Sequence, residues 1–378
     1  MDFKSILTQH FNLGNDGLEN SIEEIGGEMT GDTGFLSFRR RLKIKKGDAV
    51  RKVFLKFSDK SRPDLGQLKE LSEQVNEREC LFYGTFAPLL ERTASQLGLG
   101  SVGLPTVHLE MVLPTGTLIV MEDLGEAGFE LAPAKMNVAE ARCVLSSLAR
   151  VQAAFLLTKA RLGSPASGLF GPQSPLSDGF RSTDVAGVGF DGMLSGCFER
   201  FRSNFPTYLK CEKRVAIINA YLDDSFLEKS REVMNSSKSE QDTIGVTHSE
   251  LWYNNFMISR DSCGNPVQCC LIDWQFFGIG WLTYDLGPLW ISSIDNAIVT
   301  EEFLPCVDFY HHAVQSAYES AIGGEKFPVS QEQMREQAVQ SLIYGVAWIV
   351  LQADFLDVFV RIDNILANVA DLIAFFKL

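Results

Sequence analysis

Side chains that bind zinc are scarce in this sequence. Its 378 residues include only five histidines and eight cysteines. The cysteines lack the paired spacing of a zinc-binding motif, and the adjacent residues His311 and His312 do not face one site from the same helix. These absences exclude a zinc protein as the main interpretation, and the cysteines are expected to be reduced thiols that mostly pack in the interior.

Positive charge is also in short supply. The chain has 34 lysines and arginines against 48 aspartates and glutamates, which gives a formal net charge of −14. A field of this sign repels nucleic acid and anionic lipid, so neither is expected as a partner. An anionic ligand would need a local pocket of positive charge.

Long apolar runs and targeting signals are missing from the pattern as well. The longest uninterrupted apolar stretch, Leu342 to Leu351, is about half of the roughly 20 residues that a membrane helix needs. The segment Met1 to Lys4 is not a basic region followed by an apolar run, so no signal peptide is expected. Together these features predict a cytoplasmic location without a membrane partner.

The composition is typical of a folded globular chain, with 46% hydrophobic and 22% charged residues. Hydrophobic periodicity predicts a β-rich first half and a helix-rich second half. The predicted strands lie within residues 31–57, 118–121, 244–247, 256–259 and 267–272. The predicted helices lie within residues 66–92, 139–157 and 301–378, and residues 162–196 are predicted to be an irregular insertion. We therefore predict an N-terminal lobe (1–122) and a C-terminal lobe (123–378), with a ligand-binding cleft between them.

The strongest chemical signal consists of two short strings in the second half. The string His248 to Asn255 contains a carboxylate, Glu250, and an amide, Asn255, five residues later. A second carboxylate, Asp273, follows a predicted hairpin. Phosphoryl transfer uses one carboxylate to orient or deprotonate the attacking hydroxyl, and an amide and another carboxylate to hold Mg²⁺. The alternative is a hairpin turn that carries polar residues by chance. The presence of both strings, in the order that phosphoryl transfer enzymes of this type have, argues against that alternative.

These strings resemble the catalytic loop and metal-binding aspartate of protein kinases. They are still more similar to those of small-molecule kinases of that fold, above all the ecdysteroid kinase-like family, which is related to choline kinases and aminoglycoside phosphotransferases. The resemblance implies a two-lobed, protein-kinase-like α+β fold, with Asn255 and Asp273 as Mg²⁺ ligands. This sequence departs from the family strings at two positions, because Ser249 replaces a glycine and Glu250 replaces the aspartate.

A lysine and a glutamate in the first half fit the same interpretation. Lys56 ends a Val-Phe-Leu-Lys-Phe strand, where a lysine is usually on a solvated face. Glu79 interrupts the apolar stripe of the helix over 66–92, and a carboxylate at such a position needs a cationic partner. The resemblance implies that Lys56 contacts the ATP phosphates and pairs with Glu79.

Two further segments are candidates for nucleotide binding. Gly31 and Gly34 lie in a Gly-Asp-Thr-Gly string whose backbone could approach phosphates closely, although this is also an ordinary turn sequence. The segment Glu122 to Leu124 resembles the family's hinge, which implies that its backbone binds adenine. A strand that ends in an acidic turn is an equally compatible interpretation.

Asp285 and Gln152 complete the candidate positions. The resemblance implies that Asp285 supports the catalytic loop, and the residue is also a plausible helix N-cap. Gln152 stands where the family has a histidine, and the sequence assigns it no role.

The leading hypothesis is an ATP- and Mg²⁺-dependent phosphotransferase that acts on a small-molecule hydroxyl, such as that of a steroid or xenobiotic alcohol. Glu250 would orient the acceptor. A second hypothesis, motivated by Glu250 itself, is a pseudokinase that binds nucleotide or a small ligand without turnover. A third is a solute-binding protein that holds an apolar metabolite and ignores ATP.

Overall fold

Packing divides the chain into two units. The structure, a computed structural model, describes residues 3–13, 22–25, 37–62, 69–162, 189–223, 225–236, 244–321 and 326–378. The first unit comprises Met1–Pro88 and Leu104–Glu130, and the second comprises Leu89–Gly103 and Leu131–Leu378. The assignment of residues 1–122 and 123–378 to functional lobes stays a prediction.

The first unit is built on an antiparallel sheet. After helix α1 (Phe3–His10), its strands are β1 (Ile22–Glu24), β2 (Phe38–Lys46), β3 (Ala49–Asp59), β4 (Val107–Leu113) and β5 (Gly116–Glu122). They pair in the order β1-β2-β3-β5-β4. The alternating apolar residues of β2 and β3, among them Leu42 and Leu55, are buried as the pattern predicts. A two-residue turn joins these strands, and Gly47 in it has φ +59°, which favours glycine.

The predicted helix over 66–92 is present from Lys69 onward with one interruption, and residues 66–68 lie outside the described residues. Helix α2 (Lys69–Leu81) passes through a π-helical turn at Phe82–Phe86 into helix α3 (Ala87–Gln96). The predicted inward stripe is confirmed, because Leu71, Val75, Glu79, Phe82 and Phe86 are all buried. The first boundary between the two packing units falls within α3.

The second unit is mainly helical. Strand β6 (Phe129–Leu131) spans the unit boundary, and the helices that follow are α4 (Val138–Leu162), α5 (Gly189–Asn204), α6 (Glu212–Tyr221) and α7 (Phe226–Ser236). The strands β7 (Ile244–Thr247), β8 (Phe256–Arg260), β9 (Pro266–Leu271) and β10 (Gly278–Trp281) come next. The chain ends with α8 (Leu286–Ser293), α9 (Phe303–Ala321), α10 (Gln331–Leu351) and α11 (Ile362–Phe376). The prediction of irregular structure up to residue 196 is wrong from Gly189 onward, since α5 begins there.

Helix α4 is the central apolar helix of the second unit. Its segment Val138–Arg161 is long and apolar enough to cross a membrane by length and composition, and 72% of its most apolar window is buried inside the protein. Core helices commonly have this composition. The buried residues include Val144, Leu148, Val151 and Phe155, which follow each other at intervals of three and four along one face of the helix.

Helices α8 and α10 approach each other through two glycines. A Cβ atom on Gly287 would overlap the carbonyl oxygen of Ser341 and lie 3.1 Å from the backbone nitrogen of Gly345. Neither position therefore accepts a side chain without separating the helices.

We expect Gly287→Ala to destabilise the protein by about 1–3 kcal/mol or more, because the added methyl overpacks a backbone contact. The matched control is Gly196→Ala in α5, where a Cβ meets nothing within 4 Å. That change is expected to be neutral or stabilising by up to about 1 kcal/mol, since alanine favours the helix. Urea denaturation measures both, and equal effects at the two positions would contradict the close helix contact.

Candidate active site

Lys56 and Glu79 form a buried ion pair. Lys56 lies in β3 and Glu79 lies in α2, and Lys56 Nζ is 2.6 Å from Glu79 Oε2. The two side chains are only 5% and 1% exposed. The structure thus brings together the two residues that the sequence predicts as partners. Each compensates the charge of the other in surroundings that hold little water.

The segment after β5 is fixed by its own side chains. Glu122 Oε1 accepts a hydrogen bond from the Thr106 amide at 2.6 Å, and Asp123 accepts one from Arg41 Nε at 2.7 Å. The Leu124 carbonyl accepts from the Phe129 amide at 3.0 Å. This carbonyl is therefore engaged in a turn, and an adenine contact at Leu124 would involve its amide. Binding of adenine by Glu122 to Leu124 stays a prediction. Gly31 and Gly34 lie outside the described residues.

The loop that follows β7, residues 248–255, is held at its start by the buried carboxylate of Asp285. Asp285 Oδ2 accepts a hydrogen bond from the His248 amide at 2.8 Å, and its Oδ1 accepts one from the Ser249 amide at 2.7 Å. Asp285 also stands at the N-cap position of α8, as the sequence predicts, but its side chain makes no capping bond there and serves the loop instead. Burial raises the pKa of Asp285 to about 7, while the two amide donors oppose that shift.

Ser249 adopts a backbone conformation that suits glycine. Its φ is +70°, in the left-handed region where a side chain costs about 1–2 kcal/mol. Its hydroxyl shares a 2.9 Å hydrogen bond with that of Thr247, and its carbonyl accepts from the Tyr344 hydroxyl at 2.9 Å. These bonds hold the turn in place and explain why a serine is accommodated where the family strings have glycine.

His248 is a packing residue of the 248–255 loop. Its Nε2 hydrogen-bonds the Ile272 carbonyl at 2.8 Å, and its ring lies 4.7 Å from that of Trp274. The side chain is fully buried. It therefore ties the loop to the chain segment that carries Asp273.

Hydrogen bonds join Glu250 to Asn255 and place Asn255 beside the segment that carries Asp273. Asn255 Nδ2 donates to the Glu250 carbonyl at 2.9 Å, and the Asn255 carbonyl accepts from the Ile272 amide at 3.0 Å. Asp273 follows directly, with φ +65°. Gln275 Nε2 donates to Glu250 Oε2 at 3.3 Å and orients that carboxylate.

The donor set at this point fits Mg²⁺. Because the amide nitrogen of Asn255 is bonded to a carbonyl, its Oδ1 is the atom that remains to bind a cation. With the Asp273 carboxylate it would supply two hard oxygen ligands, and Mg²⁺ in phosphoryl-transfer enzymes is usually held by one or two such groups plus substrate phosphates and water. Across the described ranges, no cluster of three or more His, Cys, Asp and Glu side chains forms an all-protein metal site.

Gln152 makes a contact that the sequence analysis missed. This fully buried residue of α4 donates from Nε2 to the Val246 carbonyl at 2.6 Å and accepts from the Val246 amide at 3.1 Å. It thus pairs with β7 as a neighbouring strand would, two residues before the 248–255 loop. Gly245 leaves room for it, because a Cβ there would overlap the Gln152 amide.

The sequence profile of the ecdysteroid kinase-like family matches residues 35–321, about three-quarters of the chain. The chain therefore belongs to the ecdysteroid kinase-like family. With the two packing units, this membership confirms the predicted protein-kinase-like α+β fold. No curated protein matches the sequence significantly.

Several solved structures of small-molecule kinases are distantly similar. An ethanolamine kinase from Plasmodium vivax is 12% identical with a TM-score of 0.46, covering 99% of this chain and 89% of its own. A microcompartment-associated aminopropanol kinase is 14% identical with a TM-score of 0.40, covering 97% and 95%. An aminoglycoside phosphotransferase from Streptomyces rimosus is 12% identical with a TM-score of 0.35, covering 92% and 99%. The family assignment rests on the sequence profile alone.

We expect Lys56→Met and Glu79→Gln each to destabilise the protein. The loss for Lys56→Met should be about 3–5 kcal/mol, because this change leaves the buried carboxylate of Glu79 without its cation. The double variant should lose less than the sum of the two single variants, since the second change removes the charge that the first exposed. Urea denaturation of the four proteins measures this coupling. Fully additive effects would show that the 2.6 Å contact carries no interaction energy.

The Asp285 carboxyl is expected to make stability depend on pH. Its pKa of about 7 in the folded protein lies above the usual value near 3.9, so its stabilising contribution is complete below about pH 4 and is lost as the pH rises through about 7. The difference in unfolding free energy between the wild type and Asp285→Asn should fall by about 3 kcal/mol from pH 5 to pH 8. Denaturation at several pH values tests this, and a constant difference would contradict the raised pKa.

Proposed function

We propose that this protein is an ATP- and Mg²⁺-dependent phosphotransferase that acts on a hydroxyl group of a small molecule. Membership of the ecdysteroid kinase-like family supports a kinase-like protein in general terms. The observation that carries the finer proposal is that hydrogen bonds join Glu250 to Asn255, and Asn255 to Ile272, the residue directly before Asp273.

Each side chain has a distinct role in this proposal. Asn255 and Asp273 hold Mg²⁺, which neutralises the charge on the phosphates when it is bound. Lys56 contacts the phosphates, and Glu79 fixes the lysine through their ion pair. Glu250 orients the acceptor hydroxyl and accepts its proton as the hydroxyl oxygen bonds to the terminal phosphorus of ATP. The bond from that phosphorus to the bridging oxygen breaks at the same time, and ADP leaves.

Several backbone contacts prepare these groups for the reaction. Asp285 fixes the start of the 248–255 loop through two amide bonds, and Gln152 fixes the strand before it. Such preorganisation matters because phosphoryl transfer depends mainly on positioning and electrostatic stabilisation. Gln275 supports Glu250 by donating a hydrogen bond to the carboxylate.

Glu250 also motivates the second candidate function, a pseudokinase that binds nucleotide without turnover. Glutamate keeps the carboxylate that aspartate supplies in the family string, but its additional methylene moves the oxygens by about 1 Å or more. A displacement of this size can reduce a positioned reaction by about 100-fold. The hydrogen bond from Gln275 favours an adapted carboxylate, since it holds the longer side chain in a defined position.

A screen of ATP consumption against alcohols, steroids and glycosides tests the proposal. Steroid and xenobiotic alcohols are the proposed acceptors. We also propose that the protein acts in the cytoplasm. Turnover of any member of the panel supports a phosphotransferase. A thermal shift with Mg-ATP, measured in parallel, distinguishes nucleotide-binding proteins from a solute-binding protein, because a ligand of the native state raises its stability.

We expect Glu250→Gln to lose most turnover, by about 100-fold or more, while Mg-ATP binding is retained, because only the carboxylate that handles the acceptor proton is removed. Glu250→Asp should be no more active than the wild type, since the site is adapted to the longer side chain. Steady-state kinetics and nucleotide titration measure both effects. An inactive wild type that becomes active with Glu250→Asp would instead establish the pseudokinase alternative.

A further inference from the structure

A small concave pocket lies on the second unit, apart from the candidate active site. It has a volume of about 230 Å³, somewhat below the usual range for ligand pockets. One wall is formed by Arg142, Cys143, Ser146 and Arg150 of α4, and the other by residues 266–269 of β9. The wall from α4 thus includes two arginines, in a protein whose net charge is −14.

Arg150 is the more buried of the two arginines. Its Nη2 donates to Ser147 Oγ at 2.9 Å, and its Nε is buried without a hydrogen-bond partner among the described residues. The described part of the chain places no carboxylate within ion-pair distance of it. A partly buried guanidinium without a counter-charge is unfavourable, so this group would gain from an anion.

Arg142 is exposed and likewise has no carboxylate partner within the described ranges. Its guanidinium lies 5.4 Å from the ring centre of Phe309. Residues Arg142, Ser146 and Arg150 follow each other at intervals of four, which places them on the same face of α4. The two arginines thus flank a serine hydroxyl along one wall of the pocket.

The nearby acidic group does not neutralise this pocket. Glu140 accepts hydrogen bonds from Arg260 and from the Asn137 amide, and is therefore already engaged. Burial raises the pKa of the Cys143 thiol, whereas the charges of Arg150 and Arg260 act to lower it. The positive charge of Arg150 therefore reaches the thiol that lines the pocket.

We propose that this pocket binds a phosphate dianion, either as inorganic phosphate or as the phosphate group of a small phosphate monoester. Arg150 and Arg142 would supply guanidinium donors, which match phosphate oxygens in geometry and charge. The pocket is large enough for the phosphate and a short organic group, and too small for a nucleotide-sized ligand.

The position of the pocket connects it with the framework of the candidate site. Strand β9 continues directly into Ile272 and Asp273, and α4 carries Gln152, which pairs with Val246 of β7. An anion that binds residues of α4 beside β9 would hold these two elements together. The binding proposal itself does not depend on any enzymatic activity of the chain.

Thermal denaturation with increasing inorganic phosphate, against sodium chloride of equal ionic strength, tests the proposal. We expect a saturable rise in the melting temperature of the full-length wild type. Arg150→Gln and Arg142→Gln should each weaken the apparent affinity by at least about tenfold, because each removes a charged donor. Since Arg142 is exposed, its variant keeps the test valid if Arg150→Gln does not fold.

Two control variants make the result specific. Arg161→Gln alters an exposed arginine of the same helix and should respond to phosphate as the wild type does. Arg92→Gln alters an exposed arginine of α3 and should also respond as the wild type does. Phosphate stabilises many proteins by exclusion from their surface, and such an effect would be equal in all variants.

The source of the phosphate group is distinguished by repeating the titration with glycerol 3-phosphate. A lower half-saturating concentration than that of inorganic phosphate would assign the pocket to a phosphate monoester, and an equal or higher one would assign it to the free ion. The proposal is overturned if the Arg142 and Arg150 variants respond like the wild type, or if phosphate has no effect beyond that of sodium chloride.

Discussion

The candidate active site depends first on one buried carboxylate. Asp285 is 1% exposed and accepts hydrogen bonds from two successive amides, those of His248 and Ser249. Ionising a carboxyl group costs free energy when the group is buried, and the hydrogen bonds from the two amides offset part of that cost. They also oblige the chain to turn sharply after β7, which gives Ser249 its positive φ and directs Glu250 and Asn255 to their positions.

Hydrogen bonds between side chains and backbone groups position the rest of the site. Gln152 engages both polar groups of Val246, so β7 gains a partner on α4 in addition to its pairing with β10. Asn255 connects Glu250 with Ile272, the residue directly before Asp273. The chemical groups are therefore held by a connected set of hydrogen bonds within the second unit, which is the preorganisation that phosphoryl transfer requires.

Much of this arrangement could be predicted from sequence, because it is encoded in local patterns. A single carboxylate in an apolar stripe predicted that Glu79 has a cationic partner, and the family resemblance implied that this partner is Lys56. Alternation of apolar and polar residues predicted the strands. The role of Gln152 could not be predicted, since a contact 94 residues away in sequence leaves no periodic signal. The start of α5 at Gly189 was missed because glycine usually disfavours helices. The choice of Asp285 between capping α8 and holding the 248–255 loop likewise depends on tertiary structure.

The central claim is that Asp273 binds the metal that accompanies ATP. The most direct test compares the rise in melting temperature caused by ATP with Mg²⁺ and with EDTA, in the wild type, Asp273→Asn and the exposed control Asp357→Asn. The account predicts a larger shift with Mg²⁺ for the wild type and the control, and loss of this Mg²⁺-dependent part in Asp273→Asn, since the amide lacks the negative charge. A Mg²⁺-dependent shift in Asp273→Asn equal to that of the wild type would contradict it.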